Sequence, residues 1–279
     1  FADSLHGEGG NDTLDGHDNP VSTVDNFFGG DGDDTLIWNP GRDDDVFDGG
    51  AGNDTGVIVG GGAAETFAIA LDPGDPNVVI LQRTNPAPFF IEFEPSMEVL
   101  RLEANGGDDI INASTLPFDA IAVELFGGDG NDTLTGSDAA DLIDGGPGND
   151  LLDGDDNPVG TTDTVLGGDG DDTMVWNPGR DNDVNIGGPG NDISLIVGGG
   201  AAETFAIAPS PLDANVVRLE RTNPAPFFVD ISETEILRVQ GNGGDDIMSA
   251  STLPAGLIAL ELFGGDGNDT LTGSDGADL

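Results

Sequence analysis

The chain has 279 residues, with 54 Asp plus Glu against 7 Lys plus Arg, and a formal net charge of −47. That balance excludes nucleic acid and anionic membrane surfaces as partners and points to cations. All seven basic residues are Arg (42, 83, 101, 180, 218, 221 and 238), and the absence of Lys, Cys and Tyr removes most of the usual nucleophiles and every disulfide.

In chain order, residues 7–57 contain short Gly/Asp-rich blocks that each end in a few apolar residues: GEGGNDTLD (7–15), GGDGDDTLI (29–37) and GGAGNDTGV (49–57). Residues 58–103 lack such blocks and alternate apolar with polar residues in ETFAIA, NVVILQRT, FFIEF and MEVLRLE, which predicts strands with one buried face. Wider coils and a hairpin projecting from the stack are both compatible with that stretch. The blocks return over 104–138, as ANGGDDIIN (104–112) and GGDGNDTLT (127–135), with a strand expected at IAVELF (121–126).

The pattern then begins again. FFGGDGDDTLIWNPGRDDDV at 27–46 reappears as VLGGDGDDTMVWNPGRDNDV at 165–184, so that Gly167 lies 138 residues after Gly29. The first long repeat is taken as 1–138 and the second as 139–279, the latter with blocks over 139–195, an alternating stretch over 196–240 and blocks over 241–279. The second copy contributes GGPGNDLLD (145–153), GGDGDDTMV (167–175), GGPGNDISL (187–195), GNGGDDIMS (241–249) and GGDGNDTLT (264–272), with the looser GSDAADLID (136–144) at the junction. FADS (1–4), AADL (139–142) and GADL (276–279) share one phase, which leads us to expect an excerpt from a longer tandem array. No apolar run approaches the roughly 18 residues of a membrane helix.

These blocks follow the form GGxGxDxUx, with U apolar, and the chain resembles the repeats-in-toxin (RTX, haemolysin-type calcium-binding) family on those residues. The resemblance implies an all-β fold, a parallel β-roll or β-solenoid with calcium-binding Gly-Asp turns, interrupted here by the metal-free β segments. In the first six positions glycine permits positive φ, while the aspartate at position six offers a hard anionic oxygen; the last three positions form a short strand. Two blocks make one coil, so turns on one edge stack at about 4.8 Å. Calcium takes roughly 6–8 oxygens, more than one turn offers, so adjacent turns must share it.

The candidate metal ligands on one edge are Asp109, Asp132, Asp150, Asp172 and Asp192, with counterparts Asp12, Asp34 and Asp54 in the first copy and a resumption at Asp246 and Asp269 in the second. Asp141 and Asp278 are expected on the opposite edge, with Asp45 and Asp183 as weaker candidates. The resemblance implies that carbonyls of motif glycines such as Gly30, Gly32, Gly128, Gly130, Gly168 and Gly170 complete the shells.

Other residues carry secondary expectations. Phe89, Phe90, Phe227 and Phe228 of the repeated RTNPAPFF either fill the core beside a proline-stiffened turn or form an exposed aromatic loop. Trp38 and Trp176 are expected to cap the coil, with sugar stacking as the alternative, and Arg42 and Arg180 to pair with aspartates where the motif degenerates. Glu65 and Glu203 have no assigned role. The only histidines, His6 and His17, face Asp144 and Asp155 in the second copy, so no repeated catalytic set contains them. The expected protein is a non-enzymatic, secreted calcium binder: either the material of a fibre, sheath, surface layer or adhesin stalk that self-associates through further copies, or the calcium-dependent secretion and folding module of a larger exported protein. The family resemblance implies type I export from a Gram-negative bacterium.

Overall fold

A computed structural model describes residues 2–16, 24–39, 44–155, 161–177, 179 and 182–276. Every regular element among them is a β-strand, and the 26 strands belong to two sheets of 13. No helix among the described residues is long and apolar enough to cross a membrane. The chain divides into two compact units, residues 1–142 and 143–279.

Unit 1 runs β1 (Ser4–Gly9), β2 (Thr13–Asp15), β3 (Asn26–Asp31), β4 (Thr35–Trp38), β5 (Asp45–Ala51), β6 (Thr55–Val59), β7 (Thr66–Leu71), β8 (Val79–Asn85), β9 (Phe89–Phe93), β10 (Val99–Glu103), β11 (Ile110–Asn112), β12 (Ala122–Phe126) and β13 (Thr133–Thr135). Successive strands alternate between the sheets, so β1-β3-β5 stack on one side and β2-β4-β6 on the other, all parallel. Thr13 pairs with Thr35 and Thr35 with Thr55, giving coils longer than two nonapeptides because loops are inserted. The strands also begin earlier than the motif suggests: β3 and β5 run through the two leading glycines of their turns.

The segment without motif turns neither widens the coil nor projects from it. β7, β8 and β9 form an antiparallel excursion that lies within one sheet, in the order β5-β9-β8-β7-β11, while the other sheet receives only β10. Each of these strands buries alternate residues, as Phe67 and Ile69 show on β7 and Ile91 and Phe93 on β9. The antiparallel turn simply keeps that buried face on the core side.

Unit 2 runs β14 (Leu142–Pro147), β15 (Leu151–Asp153), β16 (Thr164–Asp169), β17 (Thr173–Trp176), β18 (Asp183–Ile186), β19 (Ile193–Val197), β20 (Thr204–Pro209), β21 (Val217–Asn223), β22 (Phe227–Ser232), β23 (Ile236–Gln240), β24 (Ile247–Ser249), β25 (Ala259–Phe263) and β26 (Thr270–Thr272). The excursion recurs as β18-β22-β21-β20-β24, with β19-β23-β25 opposite it.

Both interiors are predominantly apolar. In unit 1 an aromatic column passes from coil to coil, with ring centroids 4.9 Å apart for Phe27–Phe47 and 5.5 Å for Phe47–Phe93. Gly56 makes room for it, because a Cβ there would lie 2.4 Å from the Phe93 ring. Unit 2 fills the corresponding space with Asn185 and Ser194, both buried, whose side chains bond to each other at 3.0 Å. The two substitutions compensate: a buried amide and hydroxyl are tolerated here because they satisfy one another.

Candidate metal centre: a ladder of buried carboxylates

Each motif aspartate stands immediately before a strand, where its main chain is already in parallel register with the next coil. Its Oδ1 accepts the backbone N–H of the ladder residue one coil earlier. In unit 1 the distances are 2.8 Å for Asp12 N–Asp34 Oδ1, 2.8 Å for Asp34 N–Asp54 Oδ1 and 2.7 Å for Asp109 N–Asp132 Oδ1. In unit 2 they are 2.8 Å for Asp150 N–Asp172 Oδ1, 2.9 Å for Asp172 N–Asp192 Oδ1 and 3.0 Å for Asp246 N–Asp269 Oδ1.

The second oxygen has a different fate. The Oδ2 atoms of Asp12, Asp34, Asp54, Asp109, Asp172, Asp192 and Asp246 are buried and accept no hydrogen bond. Those of Asp12, Asp34, Asp172, Asp192 and Asp246 curl back over the first glycine of their own turn, onto which a carbonyl of the next coil also closes. A Cβ on Gly29 would meet Asp34 Oδ2 and Gly49 O, each at 2.4 Å, and one on Gly167 would meet Asp172 Oδ2 at 2.5 Å and Gly187 O at 2.4 Å. An ionised oxygen left in such a place is costly unless a cation joins it.

Burial raises the affinity of six ladder carboxylates for protons. Asp109 is pushed up to about 7, first by burial and then by Asp132, Glu65 and Asp108, against a lowering hydrogen bond from the Glu65 N–H. Asp192 is pushed up to about 6, again mainly by burial, with Asp172, Glu235 and Asp171 adding repulsion. Asp54, Asp132, Asp172 and Asp246 shift the same way, each chiefly through burial.

Among the described residues no three carboxylate, imidazole or thiolate side chains converge on one point. A metal here must therefore draw most of its donors from the main chain. The available donors are all oxygens, one orphaned carboxylate oxygen per turn beside inward-facing carbonyls, which suits a hard cation such as calcium. The glycines make this geometry possible. Gly168 and Gly170 have φ of +108° and +141°, and a Cβ on Gly170 would fall 1.6 Å from Gly148 O. Gly30, Gly32, Gly128 and Gly130 share both the positive φ and the close approach to the preceding coil.

The structure keeps Asp109 with Asp132, and Asp150 with Asp172 and Asp192, before strands of one sheet as expected, and corrects only the resumption at Asp246 and Asp269. Asp12, Asp34 and Asp54 precede strands of one sheet, and Asp109 and Asp132 precede strands of the other. In unit 2, Asp150, Asp172 and Asp192 precede β15, β17 and β19, yet Asp246 and Asp269 precede β24 and β26 of the opposite sheet, so the series does not resume on its own edge. The alternation itself survives the excursion, whose three strands in one sheet stand in for one; it is the acid-bearing turn that changes edge, at Glu65 and Glu203, which already precede β7 and β20. Asp141 lies before β14, where its carboxylate accepts bonds from the N–H and hydroxyl of Ser137. Asp45 and Asp183 belong to two further ladders, Asp3–Asp25–Asp45 and Asp163–Asp183, with N–H to Oδ1 distances of 2.6, 2.8 and 3.2 Å. Asp278, Arg42, Arg180 and His17 lie outside the described residues.

Sequence reasoning missed Glu65, Glu203, Glu98 and Glu235, which all occupy ladder positions. The Glu65 N–H donates to Asp109 Oδ1 at 2.6 Å and the Glu203 N–H to Asp246 Oδ1 at 2.8 Å. Here the cation is already supplied. Arg83 Nη1 reaches Glu65 Oε1 at 2.5 Å and Arg221 Nη1 reaches Glu203 Oε1 at 2.8 Å, with all four residues buried. The guanidinium lies over an aromatic pair: Arg221 is 4.5 Å from the Phe227 ring centroid and 5.3 Å from that of Trp176, and those two rings stack at 3.9 Å. Trp38 and Trp176 are thus core partners of an arginine. Phe89 and Phe227 are buried, whereas Phe90 and Phe228 turn outward, so each FF pair splits between core and surface. The signal was present in the triplets: ETF at 65–67 and 203–205 occupies the place of DTL in the motif turns.

Two stacks of parallel strands joined by Gly-Asp turns define a parallel β-roll. The family described as RTX calcium-binding nonapeptide repeat (4 copies) matches residues 1–19, 22–37, 41–56, 126–157, 160–181 and 261–279. The chain carries the calcium-binding repeats of the RTX family. No curated protein matches it significantly.

Proposed function

We propose that the chain is a non-catalytic, extracellular structural repeat protein, the building material of a fibre, sheath, surface layer or adhesin stalk whose coils are clamped together by several calcium ions. The observation that carries this reading is the stacked series of buried carboxylate oxygens without donors, those of Asp12, Asp34, Asp172, Asp192 and Asp246 each beside a carbonyl of the next coil. The assigned ligands are Asp12, Asp34, Asp54, Asp109, Asp132, Asp141, Asp150, Asp172, Asp192, Asp246, Asp269 and Asp278, with the glycine carbonyls named above and Asp45 and Asp183 as further members. When bound, calcium supplies the positive charge that lets these carboxylates stay ionised within the stack. Metal binding and coil stacking are then one event, since the unfolded chain presents no such arrangement.

The near-identity of the two long repeats supports the structural role, because a solenoid unit needs only neighbours like itself in order to extend. RTX repeats are characteristic of proteins secreted by Gram-negative bacteria, which fits folding outside the cell where calcium is abundant. Circular dichroism tests the metal dependence: β signal should rise cooperatively on adding calcium to the chelated chain, and an equal concentration of magnesium should not produce the rise. A fold equally complete and equally stable in chelator and in calcium at neutral pH would refute the clamp. Dozens of such units in the parent protein would favour the fibre, and an adjoining hydrolase or protease domain would instead make this chain a secretion and folding module.

A further inference from the structure

At the end of each run of motif turns the ladder continues onto a turn that contains no GGxGxD block. In unit 2 that turn is Glu233–Glu235, three residues stacked on the six of the Gly187–Asp192 turn, with Ser232 in parallel register with Ile186 and Ile236 with Ile193. Residue by residue it reproduces the main-chain bonds of a motif turn. The Asp192 N–H donates to Glu235 Oε2 at 2.8 Å, as the Asp172 N–H donates to Asp192 Oδ1 at 2.9 Å. The Ile236 N–H reaches Asp192 O at 3.0 Å, as the Ile193 N–H reaches Asp172 O at 2.8 Å.

The carbonyl is reproduced as well. The Gly188 N–H donates to Glu233 O at 2.9 Å, as the Gly168 N–H donates to Gly187 O at 3.0 Å. A Cβ on Gly187 would meet Glu233 O at 2.1 Å and Asp192 Oδ2 at 2.6 Å, matching the Gly187 O and Asp172 Oδ2 pair that closes on Gly167. Glu233 achieves this with φ of +50°, the left-handed region that glycine occupies in the motif turns. The longer side chain of Glu235 compensates for the three missing turn residues. Asp192 Oδ2 remains buried without a donor, aimed into this arrangement.

We propose that Glu235, Asp192 and the Glu233 carbonyl form a divalent-cation site on a turn that lacks the nonapeptide motif, with Glu98 and Asp54 as the corresponding carboxylate pair in unit 1. There the Asp54 N–H donates to Glu98 Oε2 at 2.8 Å and the Val99 N–H to Asp54 O at 3.1 Å, and Asp54 Oδ2 is likewise buried without a donor. The inference rests on the calcium reading of the ladder and extends it beyond the motif. It ties the last strand of each metal-free segment to the ion-held stack: calcium reaches across 43 residues of chain in unit 2 and 44 in unit 1.

The rival is that Glu235 only caps the Asp192 N–H. Glu235→Gln separates the two, because glutamine keeps the acceptor oxygen and loses the charge. Bound calcium should be counted by equilibrium dialysis on wild type, Glu235→Gln, Glu98→Gln, their double variant and Asp172→Asn, each first shown by circular dichroism to reach the wild-type spectrum in saturating calcium. The expected result is one ion fewer, or one site weakened at least tenfold, in each single glutamine variant, and twice that effect in the double. Unchanged number and affinity in the glutamine variants, with a loss in Asp172→Asn, would overturn this site and leave the ladder reading standing. No loss in Asp172→Asn would overturn the ladder reading itself. Should Glu235→Gln fail to fold, Glu98→Gln decides the matter in unit 1.

Discussion

Asp172→Asn should change the sign of its effect with the metal. Asp172 lies between Asp150 and Asp192, its Oδ1 holding the Asp150 N–H and its own N–H held by Asp192 Oδ1. Asparagine preserves both bonds, because its carbonyl oxygen can replace Oδ1. What it removes is one buried negative charge. At a coil spacing of about 4.8 Å two carboxylates repel by about 0.9 kcal/mol in water and about 3.5 kcal/mol at an effective dielectric constant of 20. In chelator the variant should therefore be more stable than wild type, by about 1–3 kcal/mol. In calcium the same substitution replaces an anionic oxygen with an amide NH2 facing carbonyls, and a loss of one to two orders of magnitude in affinity corresponds to about 1.4–2.8 kcal/mol of stability. Thermal melts at pH 7.5 in EDTA and in millimolar calcium would measure both. Stabilisation or destabilisation of the same sign under both conditions would refute the view that this charge is present for a cation.

Three further outcomes follow from the geometry. Asp109 at about 7 and Asp192 at about 6 hold protons more tightly in the fold than the roughly 3.9 of an unfolded aspartate, so between those values the folded state binds more protons and its metal-free stability falls as pH rises; chelated protein should melt higher at pH 5 than at pH 7.5, and the opposite order would contradict the burial of these groups. Gly170→Ala forces a Cβ to within 1.6 Å of Gly148 O at a φ of +141° and should raise the calcium midpoint of folding severalfold, whereas Gly199→Ala, with nothing within 4 Å of its Cβ, should leave that midpoint in place. Arg221→Gln strips the buried Glu203 of its cation and should cost about 3–5 kcal/mol, equally with and without calcium, in denaturant titrations; a loss confined to the calcium-free protein would show that metal can stand in for the arginine.

The motif turns were legible because their chemistry is local. A positive φ demands glycine, an aspartate must stand directly before a strand, and both recur at fixed spacing, so that Asp34 or Asp172 could be assigned to a ladder without knowledge of the fold. The path of residues 58–103 was not legible, since alternation in ETFAIA and NVVILQRT fixes which side chains are buried but not which strand β8 pairs with. That pairing decides how many strands each sheet receives; Asp246 lies on a different sheet from Asp192 because the acid-bearing turn has already changed edge at Glu203. Glu65 and Glu203 were obscured by one methylene: ETF and DTL begin a strand in the same way, yet the longer acid reaches an arginine 18 residues away instead of a shared ion. Asp25 and Asp163 lacked the preceding glycines, and only the register of β3 and β16 brings them into line with Asp45 and Asp183.

The buried guanidiniums of Arg83 and Arg221 differ from a calcium ion in one thermodynamic respect. An ion contributes through mass action, so the stability of the coils it joins grows with the logarithm of its concentration. An arginine is delivered by the chain itself, one per acid, and no dilution can remove it. The segments around Glu65 and Glu203 are therefore fixed points whose stability is indifferent to the surrounding medium, while the turns on either side respond to it. As calcium rises, order should spread outward from these two places, so that the chain need not nucleate its coils anew at every turn.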